Sequence, residues 1–173
     1  MAVQIIHRVQ LIPAPLDQIW SFFSAPANLP RITPPDMQFK ILSPPSSSGD
    51  RIYAGQLIEY SLRPLPWLRT MWLTEITQVE EGHSFVDEQR RGPYSLWHHQ
   101  HHFRRIEGGV EMTDLVHYLV PFGVLGDLAN AFFVRRRLEE VFLYRRQQVE
   151  VIFGSFPEQL GPLTTRASTT PRH

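Results

Sequence analysis

The 173-residue chain contains no cysteine, which removes thiol catalysis, zinc fingers, iron–sulfur clusters and disulfide scaffolds from consideration. Nor is there an excess of charge: 17 basic side chains stand against 17 acidic ones. The basic surplus that favours phosphate binding is therefore missing, and no nucleic-acid partner is expected. Long apolar runs are also absent. The stretch Val116 to Leu125 is interrupted by His117, Pro121 and Gly123 and falls short of the roughly 20 residues of a spanning helix, so no stable membrane insertion is expected. Met1 to Arg8 shows neither a basic region ahead of an apolar stretch nor a small-residue cleavage site, the two marks of a signal peptide, and a cytoplasmic location is expected. No glycine-rich phosphate loop and no Gly-x-Ser-x-Gly elbow occurs, which argues against nucleotide use and nucleophilic hydrolysis.

What is present is a 42% hydrophobic composition on a chain long enough to hide roughly 70% of its unfolded surface. Val3 to Ile12 alternates between apolar and polar residues, the period of a half-buried strand. From Leu16 the period becomes helical through Ile19, Trp20 and Phe23, with Pro15 at the start and Pro26 as a stop. A second helical turn is expected over Ala27 to Ile32, and Pro34-Pro35 then favours extended chain. Alternation resumes over Met37 to Leu42 and Ile52 to Leu62, on either side of a Pro-Ser-Gly loop at residues 44–50. Further strands are read over Trp67 to Val79, Ser84 to Arg90, Tyr94 to Ile106 and Val110 to Val120. Short connections between them predict an antiparallel meander. The connection Leu65-Pro66-Trp67-Leu68 is either an exposed apolar tip or a packed one.

From about Leu125 to Phe153 the apolar residues Leu128, Phe132, Leu138, Val141, Phe142, Val149, Ile152 and Phe153 mark one long amphipathic helix. Its arginines at 135–137 and 145–146 are expected mostly on the wet side, with Glu139 and Glu140 as partners. The predicted fold class is α+β: a curved antiparallel seven-stranded sheet wrapped around a long C-terminal helix, with two short helices between the first two strands. One domain is expected over residues 1–154, followed by a flexible tail over 155–173. A curved sheet on a helix leaves a concave, mostly apolar cavity where a small molecule can bind.

The order of elements, together with Arg91-Gly92-Pro93-Tyr94, Trp97, His99, His101, Phe103, Met112, Asp114, Val116, Tyr118 and Pro121-Phe122-Gly123, resembles the helix-grip superfamily known as SRPBCC. That superfamily includes START lipid-transfer domains, aromatic polyketide cyclases, birch-pollen-allergen proteins and coenzyme Q-binding proteins. The resemblance spans residues 3 to about 154, and its motifs look like a bacterial cyclase/dehydrase-like subgroup. It implies a START-like ligand-binding domain with an internal cavity and leaves the ligand open.

Trp97-His98-His99-Gln100-His101-His102-Phe103 is the most unusual segment. On a strand alternate residues share a face, so Trp97, His99, His101 and Phe103 are expected inward, while His98 and His102 face solvent. The same parity brings Phe85, Asp87 and Gln89 inward on the preceding strand, and Met112, Asp114, Val116 and Tyr118 on the following one. With a hairpin centred near Pro93, Asp87 falls opposite His99 and Gln89 opposite Trp97; with a two-residue Gly108-Gly109 turn, His101 falls opposite Val116 and diagonal to Asp114.

Three readings of the resulting polar cluster stay open. The carboxylates can fix the imidazoles in a satisfied buried network. The cluster can form the polar end of a pocket for a lipid, polyketide or aromatic compound, with Trp20, Trp72, Phe85, Gln89, Trp97, His99, His101, Phe103, Met112, Asp114, Val116, Tyr118 and Phe132 as binding residues. Or His99 and His101 with Asp87 and Asp114 can act as general acid and base in a cyclase or dehydrase, imidazole titrating near neutrality. A His-x-His pair with one carboxylate also matches a mononuclear zinc or iron ligand set, but strands produce such trios by chance, and no metal or cofactor is expected. The expected partner is a hydrophobic small molecule, on a monomer or homodimer, with a protein-interaction module around a collapsed cavity as the remaining alternative.

Overall fold

The computed structural model describes residues 2–43, 51–65 and 68–156. The alternation at the start of the chain forms strand β1 (Gln4–Ile12), and helix α1 (Leu16–Phe23) follows with Leu16, Ile19, Trp20, Phe22 and Phe23 buried. Pro15 precedes its first turn, a place where the missing N–H costs nothing. Two 3-10 turns come next, Pro26–Ile32 and Pro35–Met37. The second replaces the extended chain expected after Pro34. It also shortens β2 to Lys40–Ile41, since Met37 belongs to the turn and Gln38 adopts a φ of 45°.

The remaining strands are β3 (Leu57–Leu65), β4 (Leu68–Glu80), β5 (Ser84–Arg91), β6 (Leu96–Ile106) and β7 (Gly109–Leu119). They form one seven-stranded sheet in the order β1-β7-β6-β5-β4-β3-β2, antiparallel at every pairing. Strand β3 begins five residues later than its alternation starts at Ile52, because the chain turns at Gly55, where φ is +88°.

One register differs from expectation. The β6–β7 hairpin turns on Glu107 and Gly108, with Gly108 at φ +76°, while Gly109 already pairs with Ile106. His101 therefore faces Asp114, and His99 faces Val116. The second glycine answers a different need: a Cβ at Gly109 would run into the carbonyl oxygen of Ile12, so β1 can approach only a bare backbone.

The C-terminal helix is not uniform. It starts as α2 (Gly123–Ala129), passes through a π-helical segment (Asn130–Val134) and continues as α3 (Arg135–Phe153), closed by Gly154 at φ +89°. Leu138, Phe142 and Val149 of α3 are buried against the sheet's apolar clusters. Phe132, expected in the cavity, is instead 69% exposed. A π-helical segment inserts extra chain into the repeat, so a 3.6-residue period counted through it loses phase on its far side.

The apolar interior divides into two clusters. One gathers Ile12, Ile19, Trp20, Phe23, Phe103, Met112 and Val149; the other gathers Ile6, Trp72, Trp97, Val116, Tyr118, Leu138 and Phe142. Between them on the inward stripes lie His99 and His101 of β6, Asp114 of β7 and Arg145 of α3, so a polar layer separates two apolar ones. Among the described residues no helix is long and apolar enough to cross a membrane. The loop at 44–50, Pro66 and Trp67 of the apolar connection, and residues 157–173 of the expected tail lie outside the described residues.

Candidate functional site

Alternation on three neighbouring strands builds the site. Asp87 pairs in register with His99, and His101 with Asp114, so two imidazoles and two carboxylates meet on the inner face. His99 Nε2 donates to Asp114 Oδ1 at 3.0 Å, and His101 Nε2 donates to Asp87 Oδ2 at 3.0 Å. The second nitrogens face the opposite carboxylates: His99 Nδ1 lies 3.4 Å from Asp87 Oδ2, and His101 Nδ1 lies 2.9 Å from Asp114 Oδ1. This last contact has ion-pair distance but not hydrogen-bond alignment, and His101 Nδ1 has no other hydrogen-bond partner. Arg145 completes the group, with Nη1 3.7 Å from the same Asp114 oxygen and its guanidinium over the Phe23 ring at 5.3 Å.

Burial makes each charge depend on its neighbours. It works to raise the Asp114 carboxyl, but the charge of Arg145, followed by the close contact of His101 and the hydrogen bond from His99, holds that group well below the usual carboxylate range. Asp87 is likewise lowered, the charge of His99 and then the hydrogen bond and charge of His101 outweighing burial. Burial opposes a proton on both histidines. At His99 it prevails, helped by the nearby charge of His101, and the pKa falls; at His101 the contacts with Asp114 and Asp87 prevail, and it rises.

Beside this cluster lies a cavity of about 200 Å³. Trp72, Tyr94, Trp97, Phe85, Tyr60 and Phe142 supply aromatic wall, and Asp87, His99, His101 and Arg145 a polar stretch. Half-buried lining residues at Asn28, Leu29, Thr33 and Val141 mark its solvent side. There Arg137 bonds to the Pro64 carbonyl at 3.1 Å and to Asp36 at 2.7 Å, tying α3 to the sheet and to the second 3-10 turn.

Of the thirteen residues singled out for ligand binding, Trp72, Phe85, Trp97, His99 and His101 border the cavity. The others do not. Trp20 is packed between Phe85 and Phe103, at ring distances of 6.0 and 5.6 Å, and this fills the space that Phe103 would otherwise face. Met112 lies in the same closed cluster, and Val116 and Tyr118 are sealed in the other. Asp114 sits behind the two histidines. Gln89 is used by the β5–β6 turn, donating to the Tyr94 carbonyl at 2.6 Å; the β5–β6 pairing ends at Glu88 and His98, so it has no partner in Trp97. Phe132 is on the outside of the helix.

Tyr60, Tyr94, Phe142 and Arg145 border the cavity without having been singled out. Tyr60 has the parity of Ile58 and Leu62, and Phe142 belongs to the helical stripe, so both had a signal. Arg145 falls three residues after Phe142 and four before Val149, on the apolar stripe, which corrects its expected place on the wet side. Only 13% of its side chain is exposed.

The lining phenols carry a pH prediction. Burial, then the charge of Asp87, raises the Tyr60 phenol despite its hydrogen bond with Thr74, and burial raises Tyr94. A raised phenol contributes stability that is fully present below its unfolded value of about 10 and is lost as pH rises beyond it. Urea titrations are therefore expected to show stability falling above that pH, with a shallower fall in Tyr60→Phe. An unchanged slope in the variant would contradict this burial.

No protein-family model and no curated protein matches the chain. Solved structures do. Protein CV1439 from Chromobacterium violaceum superposes with a TM-score of 0.66 at 10% identity, covering 88% of this chain and 98% of that one. A START superfamily protein from Mycobacterium smegmatis gives 0.65 at 12% identity, covering 86% and 96%. Ginseng major latex-like protein 151 from Panax ginseng gives 0.63 at 13%, covering 87% and 97%. The chain has the START-like helix-grip fold, an α+β architecture of a seven-stranded antiparallel sheet curved about a C-terminal helix.

Proposed function

We propose that the protein binds a small hydroxylated or carbonyl-bearing aromatic compound in the cavity between sheet and helix. The observation that carries this reading is the pairing of an aromatic wall with a polar end in one cavity of about 200 Å³. For scale, an apolar cavity of about 150 Å³ accommodates a benzene ring, so one or two fused rings suit this volume and a long acyl chain does not. Two residues bordering the cavity carry buried nitrogens without hydrogen-bond partners: Trp72 Nε1 and Arg145 Nε. Buried donors without partners are uncommon, and a ligand oxygen is a natural complement to such a set.

Calorimetry with 2-naphthol, in a chelating buffer and with palmitate as comparison, tests the reading. One-to-one binding of 2-naphthol, with quenching of tryptophan fluorescence from Trp72 and Trp97, is expected. Palmitate binding without 2-naphthol binding would replace the aromatic ligand with a lipid, and no binding of either would end the ligand reading.

Acid/base catalysis is the second reading. It is favoured by one observation, that His99 and His101 both border the cavity and both hydrogen-bond to a carboxylate. It requires a turnover that disappears when both are changed to glutamine while the ligand still binds. An interaction-module reading has support in the exposed side chains of Phe122, Val124, Leu125 and Phe133, and the open cavity favours the ligand reading over it.

A further inference from the structure

The geometry points to a mononuclear divalent-metal site on the cavity wall, with Asp87 Oδ2, His99 Nδ1 and His101 Nε2 as ligands and Asp114 as the carboxylate that orients both imidazoles. This goes beyond the organic-ligand reading and stands without it. Asp87, His99 and His101 each offer a donor atom, and these atoms lie within 4.8 Å of one another. Two separations are shorter: Asp87 Oδ2 is 3.4 Å from His99 Nδ1 and 3.0 Å from His101 Nε2. Ligands held about 2.0–2.1 Å from one transition-metal ion are themselves about 3.0–3.4 Å apart, so these two edges need almost no movement. A rotation of the imidazoles closes the third.

The remaining nitrogens argue most strongly. A histidine that binds a metal through one nitrogen generally donates the N–H of the other to a carboxylate, which fixes tautomer and ring direction. With His99 ligating through Nδ1, its Nε2–H already donates to Asp114 Oδ1 at 3.0 Å. With His101 ligating through Nε2, its Nδ1–H lies 2.9 Å from that same oxygen. His101 Nδ1 is the buried atom that lacks an aligned partner, and a small turn of the ring toward a metal at Nε2 would supply the alignment. Asp114 is thus placed to hold both rings at once, and Arg145, 3.7 Å from the same oxygen, offsets its charge. Asp87 is left to meet the charge of the ion.

The layering matches this division of roles. Asp87, His99 and His101 border the cavity and Asp114 does not, so three ligands face the open volume and the orienting carboxylate lies behind them. An ion there keeps coordination positions open toward the cavity. Two imidazoles and one carboxylate suit zinc or ferrous iron.

Cobalt(II), added alone to the chelator-treated and dialysed full-length protein, is the probe. Equimolar binding with visible d–d absorption is expected, abolished in Asp87→Asn, His99→Gln and His101→Gln and weakened about 10–100-fold in Asp114→Asn. His98→Gln and His102→Gln, on the opposite face of β6, are expected to bind as the parent does. Saturable binding that survives the three ligand variants, or that is lost in the His98 or His102 variant, would overturn the assignment. So would the absence of saturable cobalt or zinc binding by the parent protein.

If a ligand variant fails to fold, nitrogen-15 NMR of the parent with zinc decides instead. Metal on Nδ1 of His99 and on Nε2 of His101, with protons on the other nitrogens, is expected, and any other tautomer pair refutes the site. Because no organic compound is present, a negative result here leaves the 2-naphthol reading to its own test.

Discussion

Replacing Phe103 with alanine is expected to lower the unfolding free energy by about 3–5 kcal/mol, as measured by urea denaturation, and to leave 2-naphthol affinity within twofold of the parent. Phe103 is 4% exposed and packs against Trp20 at 5.6 Å, Phe23 at 5.6 Å and Phe85 at 6.1 Å. Trp20 and Phe23 are carried by α1 and Phe85 by the sheet, so the space left by Phe103 is refilled only in part. Trp97 has the same parity on the same strand and a different environment. It contacts Trp72 and Tyr94 at 5.2 and 5.0 Å but also borders the cavity. Part of its surface faces open volume and forfeits no dispersion contacts on removal, so Trp97→Ala is expected to lose about 2–3 kcal/mol while weakening 2-naphthol binding at least tenfold. If Trp97→Ala left affinity unchanged, or if Phe103→Ala abolished it at a temperature where the variant is folded, the boundary of the cavity would be misplaced.

The second large effect is expected at Asp114. Its Oδ1 meets His99, His101 and Arg145 at 3.0, 2.9 and 3.7 Å, and its removal leaves buried positive charge without its counter-charge. Asp114→Ala is expected to lose about 3–5 kcal/mol, the range for breaking a buried ion pair from one side. Asp114→Asn keeps an acceptor oxygen and loses less.

The pH dependence, measured in chelator, distinguishes the charge from the packing. Asp87 and Asp114 have lowered pKa values in the fold, so their contribution is present above the unfolded value of about 3.9 and lost as pH falls through the folded values. His99 is also lowered; its contribution is present above about 6.5 and lost as pH falls. His101 is raised, and its contribution is present below about 6.5 and lost as pH rises through its folded value. The parent is therefore expected to weaken on both sides of a maximum, and Asp114→Asn to show a flatter acid limb and a smaller loss above pH 6.5. Parallel profiles for parent and variant would remove Asp114 from the network.

Much of this arrangement was legible in order along the chain, because strand parity is a local property. Trp97, His99, His101 and Phe103 on one face, with Asp87 and Asp114 inward on the flanking strands, follow from period two alone. Burial on β7 alternates without a break from Val110 to Tyr118, and Asp114 is the polar member of that stripe. Arg145 carried the same kind of signal on α3, at helical spacing between Phe142 and Val149, but arginine clusters read more naturally as a solvated face. The register of β6 on β7 was less legible. Two adjacent glycines serve different ends there, Gly108 the turn and Gly109 the approach of β1, and the type of turn sets the register.

The class of fold, the order of elements and the inward set on each strand follow from local signals along the chain, since periodicity, proline stops and glycine turns act within a few residues. Which part of that inward set borders a cavity depends on packing between distant elements. Helix α1 drives Trp20 between Phe85 and Phe103 and closes one end of the stripe, while Trp72, Trp97 and Phe142 stand around open volume at the other. The meeting of Arg145 with Asp114 is of the same kind. It joins a helix and a strand 31 positions apart in the chain, a separation over which periodicity carries no information and packing carries all of it.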